Sequence, residues 1–211
     1  MLVKLGVKKK NIWLCDINGL VYEGRTTDMN AEKAAFAQKT DLRSLDEVIE
    51  NADMFLGLSG PNILTSSMIK KMGAKPIIFA LANPSPEVMP DIARKAASDA
   101  IIATGRSDFP NQVNNVLCFP FIFRGALDVE ATEINDEMQL ACIDAIAEIA
   151  RKTTSAEAAA AYQGEALTFG PEYLIPKPFD PRLSVVVSSA VAQAAICLLY
   201  TSPSPRDSTL S

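Results

Sequence analysis

The sequence of 211 residues contains no histidine. That absence excludes a Ser-His-Asp triad, a Cys-His dyad and a histidine-ligated zinc site built within this chain. No two cysteines form a Cys-x-x-Cys pair, so neither a zinc knuckle nor a thioredoxin motif is supported. The cysteines lie singly on apolar segments, which is typical of buried, reduced thiols in a cytoplasmic protein. They are Cys15, Cys118, Cys142 and Cys197.

Positive charge and long apolar runs are also scarce. The net charge is -5 and the isoelectric point is about 4.9, which argues against nucleic acid as a partner because phosphate binding needs a basic surface. The basic run 8–10 is interpreted as the solvated end of a helix. The apolar stretch 185–200 is too short and too rich in serine and alanine to cross a membrane. With no signal-peptide pattern at the start, we expect no membrane partner and a cytoplasmic location.

Apolar runs and helical segments alternate through the first half of the chain. Four continuous apolar runs predict strands, at 11–16, 52–59, 76–81 and 99–104. Helices are predicted between and after them, at 30–39, 44–51, 65–72 and 90–97. Ser44 with Glu47 three residues later forms a capping box, and the lack of alternation in 76–81 predicts a strand buried on both faces. The order predicts an α/β fold: a Rossmann-like, doubly wound parallel sheet with helices on both faces.

Helices alone are predicted after residue 114, at 116–129, 135–152 and 183–199. The middle one carries an apolar stripe formed by Met138, Ala141, Cys142, Ala145 and Ile149. We divide the chain into a truncated dinucleotide-binding domain, a helical and loop extension, and a polar tail, at 1–152, 153–199 and 200–211. The tail is rich in serine and proline, and we interpret it as non-native read-through or as a disordered segment.

Asp16 ends the first predicted strand. An acid at the end of the second strand of a dinucleotide-binding sheet accepts hydrogen bonds from the adenosine ribose, about 20 residues after the glycine-rich phosphate loop. The chain contains no Gly-x-Gly-x-x-Gly motif, and Lys4 and Gly6 are typical of a helix end. We therefore expect the first strand and the phosphate loop to precede residue 1. The alternative is that Asp16 only opens the turn at Asn18 and Gly19.

Ligands of doubly wound sheets bind at the carboxyl ends of the strands. Ser59 and Gly60 follow one predicted strand, and Asn83 follows the next. The Asn83 amide both donates and accepts, which suits a substrate carboxylate or the nicotinamide ribose. The alternative is that Asn83 caps the following turn.

Asn114 and Asn115 open the helical part of the chain. Consecutive amides at a helix start suit an anion or a carboxamide, because free backbone donors and the helix dipole point the same way; one of them can instead be a simple N-cap. Arg106 and Arg124 are each candidates to clamp a carboxylate, or to form structural ion pairs.

Several longer motifs resemble those of the malic enzymes. They are FALANP at 79–84, ATGRSD at 103–108, PNQVNN at 110–115, FPFIFRGALD at 119–128 and FGPEYLIPKPFD at 169–180. The likeness is strongest to the large bacterial NADP-dependent type that carries a phosphotransacetylase-like domain behind the malic part. It covers about residues 1–198.

The resemblance implies oxidative decarboxylation of malate to pyruvate and CO2, with NADP or NAD and with Mg or Mn, in a homo-oligomeric parent. It implies that Asp16, Ser59, Gly60, Asn83 and Asn114 bind the cofactor. It further implies that Asn83 and Asn115 bind malate. The family's catalytic tyrosine and lysine, its acidic metal ligands and its glycine-rich loop precede the matched motifs, so no catalytic or metal-binding residue is assigned here. We expect the isolated chain to be inactive.

Two other interpretations stay open at the level of sequence. One is a different Rossmann-type dehydrogenase of the leucine or glutamate kind, and the other is a non-catalytic nucleotide-binding module. The choice between NAD and NADP is also open. Asp16 suits the ribose diol of NAD, whereas Arg25 or Lys33 can offset its charge for NADP.

Overall fold

The computed structural model describes residues 1–152 and 167–197. The chain divides into two compact units, of which the first ends at Ile102 and the second begins at Ala103. The predicted domain boundary after residue 152 falls at the edge of the described ranges and stays a prediction. The predicted helix end at 198–199 and the tail at 200–211 lie outside the described residues.

The first residues carry the hydrogen bonds of a helix C-terminus. The Gly6 N–H donates to the Val3 carbonyl and the Val7 N–H donates to the Leu2 carbonyl, both at 3.1 Å. Gly6 has a φ of +100°, which glycine adopts without steric cost. This pair of bonds is a Schellman motif, so the predicted cap at Gly6 is confirmed.

The strand predicted over 11–16 is wrong in length and in partner. Within this range only β1 (Cys15–Asp16) forms a paired strand, and it pairs antiparallel with β2 (Gly19–Leu20) rather than joining the parallel sheet. The reason is the turn between them, in which the Asp16 carboxylate accepts from the Asn18 N–H at 2.8 Å and Gly19 has a φ of +91°. The turn reverses the chain before a longer strand can form.

Two short helices follow the hairpin. Helix α1 (Ala31–Ala34) is capped by Asn30, and α2 (Leu45–Val48) begins at Ser44 with the predicted capping box to Glu47. Helix α1 is shorter than the predicted 30–39 because Gln38 forms a parallel bridge with Tyr22. That long-range pairing ends the helix.

The parallel sheet is built from β3 (Met54–Gly57), β4 (Ile77–Ala80) and β5 (Ile101–Thr104), in that order. Strands β3 and β4 run parallel, with Met54 opposite Ile77 and Gly57 opposite Ala80. Helix α3 (Ser66–Lys71) connects β3 to β4, and α4 (Pro90–Ala96) connects β4 to β5. The predicted α/β order is confirmed.

One face of the sheet is less covered than predicted. In β3, Phe55 is buried, whereas Met54 and Leu56 are 39% and 40% exposed. In β4, Ile77 and Phe79 are only half-buried. Successive side chains of a strand point to opposite faces, so the prediction that β4 is buried on both faces is wrong for one of them. The other face packs on a core that includes Ile49, Leu64, Ile69, Ile78, Val88, Ala93 and Ile102.

The second unit is helical beyond β5. Helix α5 (Phe119–Asp128) follows a single 3-10 turn, α6 (Asp136–Arg151) begins at the cap Asn135, and α7 spans Arg182–Cys197. The predicted stripe on α6 is confirmed, with Ala141 only half-buried. It packs in a core that includes Leu117, Ile122, Met138, Cys142, Ala145, Ile149, Leu183, Val187 and Val191. Within 1–152 and 167–197, no helix is both long and apolar enough to cross a membrane.

The four cysteines carry free thiols, but they are less buried than predicted. Only Cys142 is fully buried, and Cys197 is exposed on α7. Cys142 donates a hydrogen bond to Cys118, with 3.4 Å between the sulfur atoms. Isolated cysteines on apolar segments are therefore a weak guide to burial in this chain.

Gly125 allows a close approach of α5 and α7. A side-chain carbon at Gly125 would collide with the Ser188 carbonyl oxygen and would lie 2.8 Å from the Val191 Cβ. Only a residue without a side chain fits this contact at the observed separation.

Gly125→Ala is expected to destabilise the protein. Overpacking costs about 1–3 kcal/mol, which outweighs the gain of about 1 kcal/mol from replacing a helical glycine. The measurement is the free energy of unfolding in urea. Gly170→Ala is the control, because its nearest neighbour would be the Thr168 oxygen at 3.9 Å. Equal stability of both variants and the parent would contradict the close contact.

Candidate functional site

The Asp16 carboxylate forms an ion pair with a buried arginine. The Arg25 side chain is only 3% exposed, and its Nη2 donates to both Asp16 oxygens at 2.7 and 2.8 Å. The remaining guanidinium nitrogens donate to the carbonyls of Gly19, Leu20 and Thr27. Arg25 is therefore fully engaged, and it fixes the Asp16 carboxylate to the hairpin.

Lys33 provides a second cation on the same carboxylate. Its Nζ donates to Asp16 at 2.8 Å and to the Asp28 carboxylate at 2.6 Å. Helix α1 positions it, because the Asn30 side chain caps the Lys33 N–H at 2.8 Å. Unlike Arg25, Lys33 is partly open to solvent, so it can reach a ligand.

The hydrogen bonds of this cluster favour the charged forms of Asp16 and Lys33. Burial favours the neutral form of Asp16, but hydrogen bonds from Arg25, Lys33 and the Asn18 N–H outweigh it and hold the Asp16 pKa well below its usual range. The hydrogen bond to Asp16 raises the pKa of Lys33. Asp16 thus carries its charge beside two cations. The alternative, that Asp16 opens the turn to Asn18, is observed, and its role at the adenosine ribose stays a prediction.

Ser59, Gly60 and Asn83 lie at the ends of β3 and β4, as predicted. Ser59 and Asn83 are exposed and Gly60 is half-buried. Because β3 and β4 are parallel and in register, both loops emerge from the same edge of the sheet. The structure therefore brings these three candidates to one edge within the first unit.

Glu87 connects these two loops, and the sequence reasoning missed it. It is 0% exposed, and its carboxylate accepts from the Ser59 N–H at 2.9 Å and from the Ala82 N–H at 3.1 Å. Its carbonyl accepts from the Leu64 N–H at 3.1 Å. The available signal was an acid in an otherwise uncharged, proline-rich stretch at 84–90.

Asn114 and Asn115 belong to the second unit. The Asn114 side chain accepts from the Val116 N–H at 3.1 Å and caps the 3-10 turn Asn115–Leu117. Asn115 is exposed. The N-cap interpretation therefore holds for Asn114 through its carbonyl oxygen, whereas Asn115 presents its amide to solvent.

Asn111 is a second residue that the sequence reasoning missed. It is buried, its Nδ2 donates to the Pro171 carbonyl at 2.7 Å, and its Oδ1 accepts from the Leu174 N–H at 2.8 Å. It joins two loops that are distant in sequence. Its only sequence signal was membership of the PNQVNN motif.

The two candidate arginine clamps form local ion pairs. Arg106 donates to both Asp108 oxygens at 2.8 and 2.7 Å. Arg124 pairs with Asp128 one helical turn later, at 2.8 Å. The structural alternative for both arginines is therefore the one observed.

The described residues fit a dinucleotide better than a metal ion. In 1–152 and 167–197, no group of three or more His, Cys, Asp or Glu side chains is placed to hold a metal. Asp16 and Lys33, in contrast, place a carboxylate beside a reachable cation, and these are the kinds of group that contact the ribose and the phosphate of a dinucleotide. No chemical step through a metal is assigned to these residues.

Comparisons of sequence support this fit. Residues 4–162 match the family described as the NAD-binding domain of malic enzyme. The NADP-dependent malic enzyme of Escherichia coli K12 is 59% identical over 197 residues, which cover 93% of this chain and 26% of that protein. An NAD-dependent malic enzyme of Rhizobium meliloti is 56% identical and is covered to 25%. The chain thus spans about a quarter of the length of these relatives.

Solved structures give the same result. The malic enzyme of Entamoeba histolytica superposes with a TM-score of 0.78 at 34% identity, covering 95% of this chain and 40% of that one. The NAD-dependent malic enzyme of Thermotoga maritima gives a TM-score of 0.75 at 38% identity, covering 90% and 46%. A dehydrogenase of the leucine or glutamate kind is not supported. The chain belongs to the malic enzyme family, in which it corresponds to the NAD-binding domain.

Proposed function

We propose that this chain is the dinucleotide-binding part of a protein that oxidatively decarboxylates malate to pyruvate and CO2. The observation that carries the proposal is the cluster of Asp16, Arg25 and Lys33 beside the first hairpin. It places a carboxylate, the group that contacts the adenosine ribose in such folds, beside a cation for a phosphate. The bound dinucleotide would supply the hydride acceptor, and the residues of this chain would hold it.

NADP is the cofactor that we favour. An acid such as Asp16 suits the ribose diol of NAD and repels the 2′-phosphate of NADP. Here two cations already offset the Asp16 charge, and Lys33 reaches it from the solvent side at 2.8 Å. Lys33 can exchange its contact with the exposed Asp28 for one with the 2′-phosphate.

We assign the remaining contacts to the strand ends and to the asparagines. Ser59 and Gly60 would lie beside the dinucleotide. Asn83 and Asn114 are each assigned to its nicotinamide end, and Asn83 and Asn115 are each assigned to malate. The exposure of Ser59, Asn83 and Asn115 supports this assignment. Amides orient a ligand but do not transfer protons at neutral pH, so the acid and base of the reaction are assigned to no residue of this chain.

The setting of the parent protein is part of the same proposal. We place it in the cytoplasm and expect a homo-oligomer, with malate as its small-molecule partner. The free thiols and the acidic composition support a reducing compartment and disfavour nucleic acid as a partner.

The purified 211-residue chain is expected to bind NADPH without oxidising malate. Binding is measured by the change in NADPH fluorescence on titration, and turnover by NADPH formation from malate, NADP and Mg or Mn. Saturable binding without turnover is the expected result. Absence of binding would contradict the cofactor assignment, and malate-dependent NADPH formation would contradict the assignment of the acid and base outside this chain.

Lys33→Ala is expected to weaken NADPH binding about tenfold relative to NADH, which corresponds to about 1.4 kcal/mol. The variant loses the cation for the 2′-phosphate and leaves more of the Asp16 charge uncompensated. The ratio of the two dissociation constants is the measurement. Lys39→Ala, an exposed lysine beyond α1, is the matched control. An equal loss of affinity for both nucleotides would contradict a role in recognising the phosphate.

A further inference from the structure

Glu87 accepts two amides that occupy equivalent places on neighbouring strands. The register of the sheet sets Gly57 opposite Ala80, so Ser59 and Ala82 are each two residues beyond a paired position. One oxygen of Glu87 accepts from Ser59 and the other accepts from Ala82. The carboxylate therefore continues the pairing of β3 and β4 after their direct hydrogen bonds have ended.

The surroundings leave room for this carboxylate. A side-chain carbon on Gly57 would lie 2.7 Å from both Glu87 oxygens, so glycine at that position makes the space. The main chain of the same segment is also tied to the first loop, where Leu64 donates to the Glu87 carbonyl and Asn62 donates to the Pro86 carbonyl. The loop after β3 is thus held at several points by one short segment.

Burying a charge is a costly way to stabilise a fold if stability is the only gain. Transfer of a carboxylate from water is offset only when its oxygens are hydrogen-bonded, and apolar replacements of buried charges are often as stable. Charged acceptors do, however, fix geometry, because their hydrogen bonds are short and strong. The burial of Glu87 therefore points to a requirement for a fixed spacing between the two loops.

We propose that Glu87 is a positioning residue for the cofactor. By holding the Ser59 and Ala82 amides at a fixed separation, it sets the distance between the two strand-end loops and thereby the affinity for the dinucleotide. The inference rests on the proposed function, since those loops are the ones assigned to the cofactor. Glu87 is 0% exposed, so it acts through the loops and does not touch the ligand.

The first test needs no cofactor. Residue-resolved hydrogen exchange is measured by NMR at the amides of Ser59 and Ala82 in the 211-residue chain. Glu87→Ala removes both acceptors, and both amides are expected to exchange at least roughly tenfold faster. Glu87→Gln keeps one acceptor oxygen, so only one of the two amides is expected to change to that extent. Unchanged exchange at both amides in both variants would overturn the proposal.

The second test measures the dissociation constant of NADPH by fluorescence titration. Glu87→Ala is expected to weaken binding about tenfold, with Glu87→Gln in between. Glu50→Gln, an exposed residue of the same type, is the matched control. Ile69→Ala removes most of a buried side chain of α3. It controls for destabilisation alone and is expected to leave the dissociation constant of NADPH unchanged. An equal loss in Ile69→Ala would overturn the positioning role.

The two tests separate the inference from the proposed function. Faster exchange with unchanged NADPH affinity would overturn the link between Glu87 and the cofactor. Absence of NADPH binding by the parent chain would contradict the proposed function instead, whereas the exchange data would still decide whether Glu87 holds the loops. Should Glu87→Ala fail to fold, Gly57→Ala is the substitute. The added methyl group would push the Glu87 carboxylate away from its two partners without changing residue 87 itself. Hydrogen exchange at the Ser59 and Ala82 amides is expected to become faster.

Discussion

Backbone amides that leave a parallel sheet must find new acceptors, and this constraint shapes the first unit. Strands β3 and β4 end in register, and the amides beyond them enter a region that is closed to water around Ala82. An unpaired buried amide would cost about 1–3 kcal/mol. Glu87 satisfies the buried amide of Ala82 and the less buried amide of Ser59 from one side chain, and the absence of a side chain at Gly57 makes its position possible. Of the candidate ligand residues, Ser59 supplies one of these amides and Asn83 directly follows the other.

Both units anchor their loops with buried polar side chains, and the second relies more on neutral amides. The first uses charged groups that are buried or nearly so, namely Glu87 between the strand ends and Arg25 beneath Asp16. The second uses neutral amides, with Asn111 bridging two distant loops and Asn114 capping the turn before α5. It also uses an ion pair at the start of α7, in which Arg182 donates to the buried Asp180 carboxylate at 2.6 Å.

Local signals were predictable from sequence and long-range ones were not. The capping box at Ser44 and the cap at Gly6 depend on residues within one or two turns, and the structure confirms them. Helix α1 ends early because Gln38 pairs with the distant Tyr22, which no local pattern encodes.

The residues of the candidate site show the same difference between local and long-range signals. Strand ends could be placed from apolar runs, so Ser59 and Asn83 were found at the expected positions. Asp16, in contrast, ends a strand of the hairpin and not one of the parallel sheet. Glu87 was missed because one of its partners lies 28 residues away. Its acceptor role depends on the register of two strands, and register is a property of the folded sheet. The strand before Asp16 was overestimated because the turn at Gly19 competes with it.

The ion cluster at Asp16 also determines what a titration of cofactor binding would report. The carboxylate stays charged far below neutrality and the ammonium of Lys33 stays charged far above it. The chain has no histidine to ionise between them. For NADP bound at this cluster, the group that changes charge near neutrality is the ligand's own 2′-phosphate, with a second pKa of about 6 for such monoesters. The charges of Asp16 and Lys33 would stay constant, and the protonation state of the 2′-phosphate would determine how binding at this contact varies with pH.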